Sequence, residues 1–374
     1  MILRTIDELR LSPEERRALD GHGFDFVTFS RLQQELEAGR FPPERNVSTC
    51  TVAPPRPSDF TSLPAVGTAR ARELEALGID ALKRGKVAAV VLNGGMATRF
   101  GGRVKGIVEV VDGKSFMALR LGDFAAAPGP VPIFLMNSFA TAAETLKHLE
   151  AHAWFGLAKH RVTLLSQRIS IRLTPAGEVF RDRQGGVGFY APGHGDVFEA
   201  LHRAASFQEF KAHGGQLAMV SNIDNLGATL SPLVIGAHLE GHKPVTVEVA
   251  PRVVGDRGGA PVRSNGHLEV FEGFRFPKSF DVTQVPVFNT NTMLVDVAAV
   301  RPDYDLTWFR ADKEVDSQPV VQFERLMGQV TAFVDATYLS VPRDGDEGRF
   351  LPVKTPQDLG AIRPLVRQRF LARA

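Results

Sequence analysis

The sequence predicts an α/β fold with a mixed, mainly parallel central sheet flanked by helices and preceded by an N-terminal helical segment. Short, continuous apolar runs recur along the chain, and the first of them is Val87–Leu92. Runs of this kind are typical of parallel strands buried on both faces. Segments with helical character fall between the runs, and this alternation favours a three-layer arrangement of helix, sheet and helix.

Residues 1–85 are predicted to form helices and a proline-rich segment that wraps around the main domain. Ser12 and Pro13 indicate a helix start, because Ser12 is a good cap and Glu15 is placed to close a capping box. A second helix is expected to begin near Ser30. Six prolines between residues 41 and 64 predict an extended segment, and a helix is predicted over residues 67–84.

Residues 86–345 are predicted to form the catalytic domain, and residues 346–374 a C-terminal segment that adds a helix. Further strands are predicted over residues 130–136, 161–165, 216–221 and 244–250. Helices are predicted between them over residues 115–127, 140–150, 196–212 and 230–240. Ligands of such sheets bind at the carboxyl ends of the strands, so the loops there are the candidate site.

Composition excludes several classes of protein. The net charge is only +2, and the scattered Lys and Arg residues give no support to nucleic-acid binding. The charged N-terminus and the absence of any 18-residue apolar run predict neither a signal peptide nor a membrane span. The single cysteine, Cys50, has no partner for an internal disulfide. We therefore expect a cytoplasmic protein without a membrane partner.

The first candidate motif is the glycine-rich loop over residues 92–102. Gly94 and Gly95 follow the first strand directly, so backbone N–H groups there can approach an anion, while Arg99 and Lys105 add positive charge. The loop lacks the lysine ending of a Walker motif. A purely structural turn is the alternative.

Two further loops follow later strands. His194 stands between glycines, where it is free to donate to a ligand oxygen, and the following Asp196 is interpreted as a helix cap. Asp224 lies among amides after the strand predicted over residues 216–221. A carboxylate there suits Mg²⁺, which takes few protein oxygens. The alternative for this segment is an Asx-rich turn.

Two segments near the C-terminal end complete the set. Asn289 and Asn291 lie where a strand would otherwise be apolar, and amides are the groups that sugar hydroxyls need. A polar strand edge is the alternative. Lys354 ends an apolar run, and its alternative is a solvated strand end.

Taken together and in this order, the motifs resemble those of the UDP-glucose pyrophosphorylase (uridylyltransferase) family. The shared segments read LNGG, MNSF, PGHGD, SNIDNLGAT, NTN and FLPVK. The resemblance implies a nucleotidyltransferase fold and transfer of the uridylyl group of UTP to a sugar 1-phosphate, with glucose 1-phosphate as first choice. It also implies Mg²⁺ as cofactor.

The resemblance assigns roles to residues by position. Lys105 and Lys354, with Arg99, would neutralise phosphates, and Asp224 would hold Mg²⁺. The nucleotide-binding residues would be Leu92, Gly94, Gly95, Met136, Gln167, Gly193 and Asn222. The sugar-binding residues would be His194, Glu272, Asn289 and Asn291.

Departures from the family pattern leave alternatives open. Ala97 stands where the family usually has glycine, Val104 stands where proline often precedes the lysine, and Arg99 resembles the loops of N-acetylglucosamine enzymes. The alternatives are a UDP-N-acetylglucosamine or broad UDP-sugar pyrophosphorylase, and an inactive homologue that binds nucleotide sugar. Few residues follow Lys354, too few for the C-terminal β-helix that many relatives use in assembly, so a monomer is expected.

Overall fold

Helices and strands alternate along most of the chain, as the sequence predicts. The computed structural model describes residues 5–97, 100–256 and 258–371. The α-helices are α1 (Pro13–Gly21), α2 (Phe26–Glu37), α3 (Ala69–Lys83), α4 (Phe116–Ala125), α5 (Ala142–Ala151), α6 (Val197–Arg203), α7 (Ala205–Ala212), α8 (Pro232–Gly241) and α9 (Pro356–Val366). The strands are β1 (Val52–Ala53), β2 (Phe60–Ser62), β3 (Val87–Leu92), β4 (Met96–Ala97), β5 (Arg103–Val104), β6 (Glu109–Val111), β7 (Lys114–Ser115), β8 (Ile133–Asn137), β9 (Val162–Ser166), β10 (Ser170–Ile171), β11 (Phe189–Tyr190), β12 (Leu217–Asn222), β13 (Val245–Pro251), β14 (Ala260–Ser264), β15 (His267–Phe271), β16 (Val287–Asp296), β17 (Phe309–Val315), β18 (Gln318–Glu324) and β19 (Ala336–Ser340).

The central sheet is mixed and mainly parallel, as predicted. Its strand order is β2-β19-β13-β16-β12-β3-β8-β9. All neighbouring pairs are parallel except the two that β16 makes, with β13 and with β12. β16 therefore begins at the edge where the parallel strands end, and this brings its first residues to the candidate site.

Both faces of the central sheet are covered, which explains why its strands are apolar throughout. In β3, Val87, Ala89 and Val91 pack against the face covered by α3, α4, α5, α8 and α9. The intervening Ala88 and Val90 face α6, α7 and the small sheet formed by β1, β14 and β15. Because side chains alternate across a strand, a strand buried on both sides needs apolar residues at every position. Full burial of one such side chain stabilises the fold by about 1.5–3 kcal/mol.

The predicted elements are confirmed within a few residues, with two corrections. The expected capping box at Ser12 is formed with Glu15, and α1 begins at Pro13. The second helix does not begin near Ser30; it begins at Phe26, where the Asp25 side chain accepts a hydrogen bond from Thr28 N–H. The long helix predicted over residues 196–212 is two helices, α6 and α7, because the backbone at Ala204 is extended.

The N-terminal segment is fastened to the rest of the chain at several points. β2 pairs in parallel with β19 and so forms one edge of the central sheet. α1 and α2 bury Leu19, Leu32 and Leu36 against β10 and β18. In the described part of the chain, none of the helices combines the length and the apolar character needed to cross a bilayer.

Candidate active site

The carboxyl edge of the central sheet gathers the predicted amides. Asn222 ends β12, and Asn291 lies opposite on the antiparallel β16, where its Nδ2 donates to Asn222 Oδ1 at 3.1 Å. Asn289 Oδ1 accepts from the Asn291 backbone N–H at 3.0 Å. β16 has neighbours on both sides, so the alternative of a polar strand edge is wrong.

Asn291 has an unusual backbone at this point. Its φ is 59°, in the left-handed region, and the pairing of β13 with β16 shifts register between Val247 and Val249. Asparagine tolerates this conformation better than most residues. The bulge turns the Asn291 amide toward the end of the neighbouring strand, which a regular strand would not do.

Gln167 joins the glycine-rich loop to the PGHGD loop. Its Nε2 donates to the carbonyl of Gly193, and its Oε1 would lie 2.7 Å from a Cβ at Gly94. Gly193 has a φ of 87°, and a Cβ there would meet the Arg325 carbonyl oxygen at 2.3 Å. Gly193 is therefore required by its backbone conformation and by the close approach of the Arg325 backbone. Gln167, Gly94 and Gly193, three predicted nucleotide-binding residues, lie together.

Lys105 and Asp224 form an ion pair at the centre of the site. Lys105 follows β5, and its Nζ donates to Asp224 Oδ2. The two side chains are only 18% and 12% exposed, so water screens the pair less than it screens surface pairs. The preceding Val104 has a φ of −60°, which is the value that proline imposes, and its side chain is fully buried. Valine thus supports the same local backbone as the usual proline.

Lys354 is held beside Asp224 through the backbone. The neighbouring Val353 N–H donates to the Asp224 carbonyl oxygen at 3.2 Å. On its other side, the Lys354 N–H donates at 2.9 Å to Asp358, which closes the capping box of α9 with Thr355. The Lys354 side chain is exposed, as the alternative of a solvated end also predicts. Its backbone is nevertheless fixed at two points next to the carboxylate.

Part of the SNIDNLGAT motif is structural. Asn225 is 1% exposed, and its Oδ1 accepts from Gly227 N–H at 3.2 Å, which is the Asx turn offered as the alternative. Beneath it Arg349 and Glu248 form a buried, two-pronged ion pair at 2.6 and 2.7 Å. This pair was not predicted from the sequence. A lone carboxylate in the apolar run over residues 244–250 was the available signal, because a buried charge requires a partner.

His194 is fixed in one tautomer. Its Nδ1 lies 3.0 Å from the Met327 backbone N–H, which donates to it. The proton of the neutral ring is therefore on Nε2, which leaves that atom as a donor. Burial lowers the pKa of His194 to about 4, so the ring stays neutral near pH 7.

Glu272 and Asn289 lie close to the segment that is bonded to His194. Glu272 follows β15 and lies between two glycines, 3.1 Å from a Cβ at Gly259 and 3.7 Å from one at Gly328. Gly328 follows Met327 in the chain, and the Gly259 carbonyl accepts from the Asn289 N–H at 2.8 Å. Burial raises the pKa of the Glu272 carboxyl, although the nearby Arg275 opposes the shift. The predicted sugar-binding residues are thus connected to one another through neighbouring residues.

The other predicted residues lie in the core or outside the described residues. Arg99 lies outside them, and Ala97 is in β4, paired with Arg103. The Met136 side chain is 1% exposed and belongs to the core, while its carbonyl accepts from Asn93 N–H at 2.8 Å. Leu92 is 7% exposed and likewise contributes mainly to the core.

The prediction that Asp196 caps a helix is wrong. Its side chain makes no cap hydrogen bond to α6. It accepts instead from the Arg168 backbone N–H at 3.1 Å and from the Arg325 guanidinium at 2.5 Å. Arg325 also bonds through its backbone to both sides of the PGHGD loop, at Pro192 and Gly195. No local pattern indicated a role for Arg325, which follows β18 and is distant from Asp196 in the chain.

The fold and site define an α/β protein with a nucleotidyltransferase-like fold, and comparison with known proteins gives the family. The chain belongs to the UTP--glucose-1-phosphate uridylyltransferase family, whose model matches residues 44–366. A UTP--glucose-1-phosphate uridylyltransferase of Solanum tuberosum is 30% identical over 291 residues, which cover 73% of this chain and 60% of that protein. The family resemblance seen in the sequence motifs is confirmed.

Solved structures confirm the fold. A UDP-N-acetylglucosamine pyrophosphorylase of Trypanosoma brucei superposes with a TM-score of 0.76 at 24% identity, over 94% of this chain and 79% of that one. A variant of UDP-glucose pyrophosphorylase from Leishmania major gives a TM-score of 0.70 at 25% identity, with the same coverage of each chain. The chain spans about 60% of the length of the curated relatives that it matches.

Proposed function

We propose that this chain transfers the uridylyl group of UTP to glucose 1-phosphate, giving UDP-glucose and pyrophosphate. The observation that carries the proposal is the arrangement at the carboxyl edge of the sheet. There Lys105 is paired with Asp224, and the backbone that leads to Lys354 is bonded to the same residue. Membership of the uridylyltransferase family then supports the choice of reaction.

The proposed reaction is an in-line displacement at the α-phosphorus of UTP. A phosphate oxygen of the sugar 1-phosphate attacks, and pyrophosphate leaves. The nucleophile is already an anion, so the chain needs no general base. Its residues act by positioning the reactants and by neutralising charge. Lys105 would neutralise the α-phosphate, and Lys354 would contact the phosphates of both substrates.

The remaining predicted residues would bind the uracil and the hydroxyl groups of the substrates. Gln167, with the backbone at Gly94 and Gly95, would hold the uracil. The His194 Nε2 proton and the Asn289 and Asn291 amides would face ribose or sugar hydroxyls, together with Asn222 and Glu272. A contribution of Arg99 to phosphate binding is proposed from the sequence alone.

We further propose Asp224 as the protein ligand of a Mg²⁺ ion. In the described residues, His, Cys, Asp and Glu side chains form no group of three or more that would hold a metal. A single carboxylate nevertheless fits Mg²⁺, which binds one or two carboxylates together with substrate phosphates and water. When bound, the ion would neutralise charge on the phosphates.

Pyrophosphate release tests the proposal. The purified chain is incubated with UTP, Mg²⁺ and a panel of sugar 1-phosphates that includes glucose and N-acetylglucosamine 1-phosphate. We expect the highest kcat/KM with glucose 1-phosphate and loss of turnover when EDTA removes the metal. A preference for N-acetylglucosamine 1-phosphate would correct the substrate. Binding of UDP-glucose without any turnover would instead identify an inactive nucleotide-sugar-binding protein.

A cytoplasmic location, a monomeric state and the division at residues 85 and 345 stay predictions. Size-exclusion chromatography at micromolar concentration tests the second of these. A stable oligomer there would contradict it.

A further inference from the structure

The segments that carry Asp224 and Lys354 are distant in sequence but paired in space. Leu226 N–H donates to the Leu351 carbonyl at 3.2 Å, and Val353 N–H donates to the Asp224 carbonyl at 3.2 Å. These two bonds place one segment antiparallel to the other. The position of Lys354 relative to Asp224 is therefore set by the contacts between the segments.

The Asn225 side chain adds two further hydrogen bonds between these segments. Its Nδ2 donates to the Arg349 carbonyl at 3.1 Å, and its Oδ1 accepts from Leu351 N–H at 2.8 Å. The same Oδ1 accepts from Gly227 N–H at 3.2 Å, so the amide joins both chains. Asn225 is 1% exposed, so its side chain is out of reach of a ligand. Any effect that it has on the reactants must act through the residues on either side.

The Arg349 side chain makes a second set of contacts that holds the segment carrying Lys354. The Arg349 guanidinium binds Glu248 and donates to the Thr229 carbonyl at 3.1 Å. A Cβ at Gly227 would lie 2.5 Å from the Arg349 carbonyl carbon, so the two backbones are in direct contact there. Loss of the Asn225 amide would therefore leave the segment attached at Arg349 and at Val353. Leu351, three residues before Lys354, would keep only the bond of its carbonyl to Leu226 N–H and would be less well fixed.

We propose that Asn225 is a positioning residue, whose amide fixes the Lys354 ammonium relative to the Asp224 carboxylate. The proposal rests on the proposed function of that site. It predicts that replacing Asn225 lowers kcat/KM only when Lys354 is present. A purely structural role would lower stability in the same way whether or not Lys354 is present.

A double-mutant cycle between Asn225→Ala and Lys354→Ala tests this dependence. We expect Asn225→Ala alone to lower kcat/KM by about ten- to hundredfold, as a small misplacement of a catalytic group can. In the Lys354→Ala background the same change should cost less than about twofold, because the positioned group is gone. Asn225→Asp, which keeps the acceptor for Leu351 N–H, should retain more activity than Asn225→Ala.

Thr246→Val is the matched control. Thr246 is buried near the start of β13, whereas the candidate site lies where the parallel strands end. Its hydroxyl is hydrogen-bonded to His238 Nδ1 at 2.8 Å. This change removes one buried hydrogen bond outside the two segments, and its effect should be equal with and without Lys354. Equal effects of Asn225→Ala in the two backgrounds would overturn the proposal.

The affinity of the same four proteins for UTP with Mg²⁺ is also measured by calorimetry. This second measurement does not depend on turnover. We expect the loss of affinity in Asn225→Ala to vanish in the Lys354→Ala background. Coupled losses of affinity without turnover would uphold the positioning role and refute the proposed reaction. Turnover with uncoupled effects would refute the positioning role alone, and a wild-type chain that fails to bind UTP would refute both.

Discussion

The two sides of the candidate site use different kinds of groups. On one side Lys105 and Asp224 form a little-exposed ion pair, and the backbone next to Lys354 is bonded to the Asp224 carbonyl. On the other side His194 is kept neutral because burial lowers its pKa to about 4. Burial also favours the neutral form of Glu272, and for this carboxyl group it does so by raising the pKa.

This difference matches the chemistry of the proposed substrates. Phosphates are anions that gain most from fixed cations, whereas sugar hydroxyls are neutral and gain from oriented donors and acceptors. Burial without a charged partner favours neutral groups, and burial as a pair preserves charge. The comparison implies that changes on the two sides alter different kinetic quantities.

The largest effects are expected on the charged side. Lys105→Ala, Lys354→Ala and Asp224→Ala should each lower kcat by about 10²- to 10³-fold, by analogy with the loss of one donor from an oxyanion hole. Steady-state pyrophosphate release measures the loss, and circular dichroism checks the fold. The control is Lys211→Ala, which removes an exposed lysine from α7. Near wild-type kcat in Lys105→Ala or Lys354→Ala would refute the charge-neutralising role.

A smaller effect is expected from His194, and it should fall on sugar binding. His194→Asn retains an atom near Nδ1 to accept from Met327 N–H, whereas His194→Gln retains a donor near Nε2. We expect His194→Asn to raise the KM for glucose 1-phosphate roughly tenfold, which is about the contribution of one hydrogen bond. His194→Gln should raise it less. The reverse order would mean that the contact with Met327 is the important one.

The stability of the protein should also depend on His194 at low pH. The folded-state pKa of about 4 lies below the ordinary value of 6.5, so between these values the unfolded chain binds more protons. The contribution is therefore fully present above pH 6.5 and is lost as the pH falls toward 4. Thermal unfolding of wild type and of His194→Asn across this range measures it. We expect the variant to lose less stability on acidification.

The sheet was well predicted, and the segments that carry Asp224 and Lys354 were recognised as candidates, because their signals are local. The apolar run of β3 and the SNIDNLGAT and FLPVK segments are read from neighbouring residues. The roles of Arg325 and Arg349 were missed because each depends on a partner distant in sequence, Asp196 or Glu248. The bulge at Asn291 was missed as well. It depends on the pairing of β13 with β16, which the residues of one strand do not specify.

A gain in stability is expected on the neutral side from Glu272→Gln. Because burial raises the pKa of Glu272 above 4.5, the folded state binds more protons than the unfolded chain as the pH rises through that value. Ionisation therefore costs stability at neutral pH, and glutamine removes this cost. Glu272→Gln should have a higher Tm than wild type at pH 7.5 and an equal Tm below pH 4.5. A lower Tm at pH 7.5 would show that the carboxylate is stabilised by Arg275.

The smallest effect is expected from Val104→Pro, which restores the residue that many family members have before the lysine. Val104 has a φ of −60° and a ψ of 125°, and proline adopts both values without strain. Proline also narrows the unfolded ensemble, which stabilises a fold by about 0.4–1 kcal/mol when the native backbone is compatible. Urea unfolding should show a gain of this size, and kcat should change less than about twofold. A large rise in kcat would mean that valine misplaces Lys105, so that the charged side is held less firmly than its ion pair with Asp224 indicates.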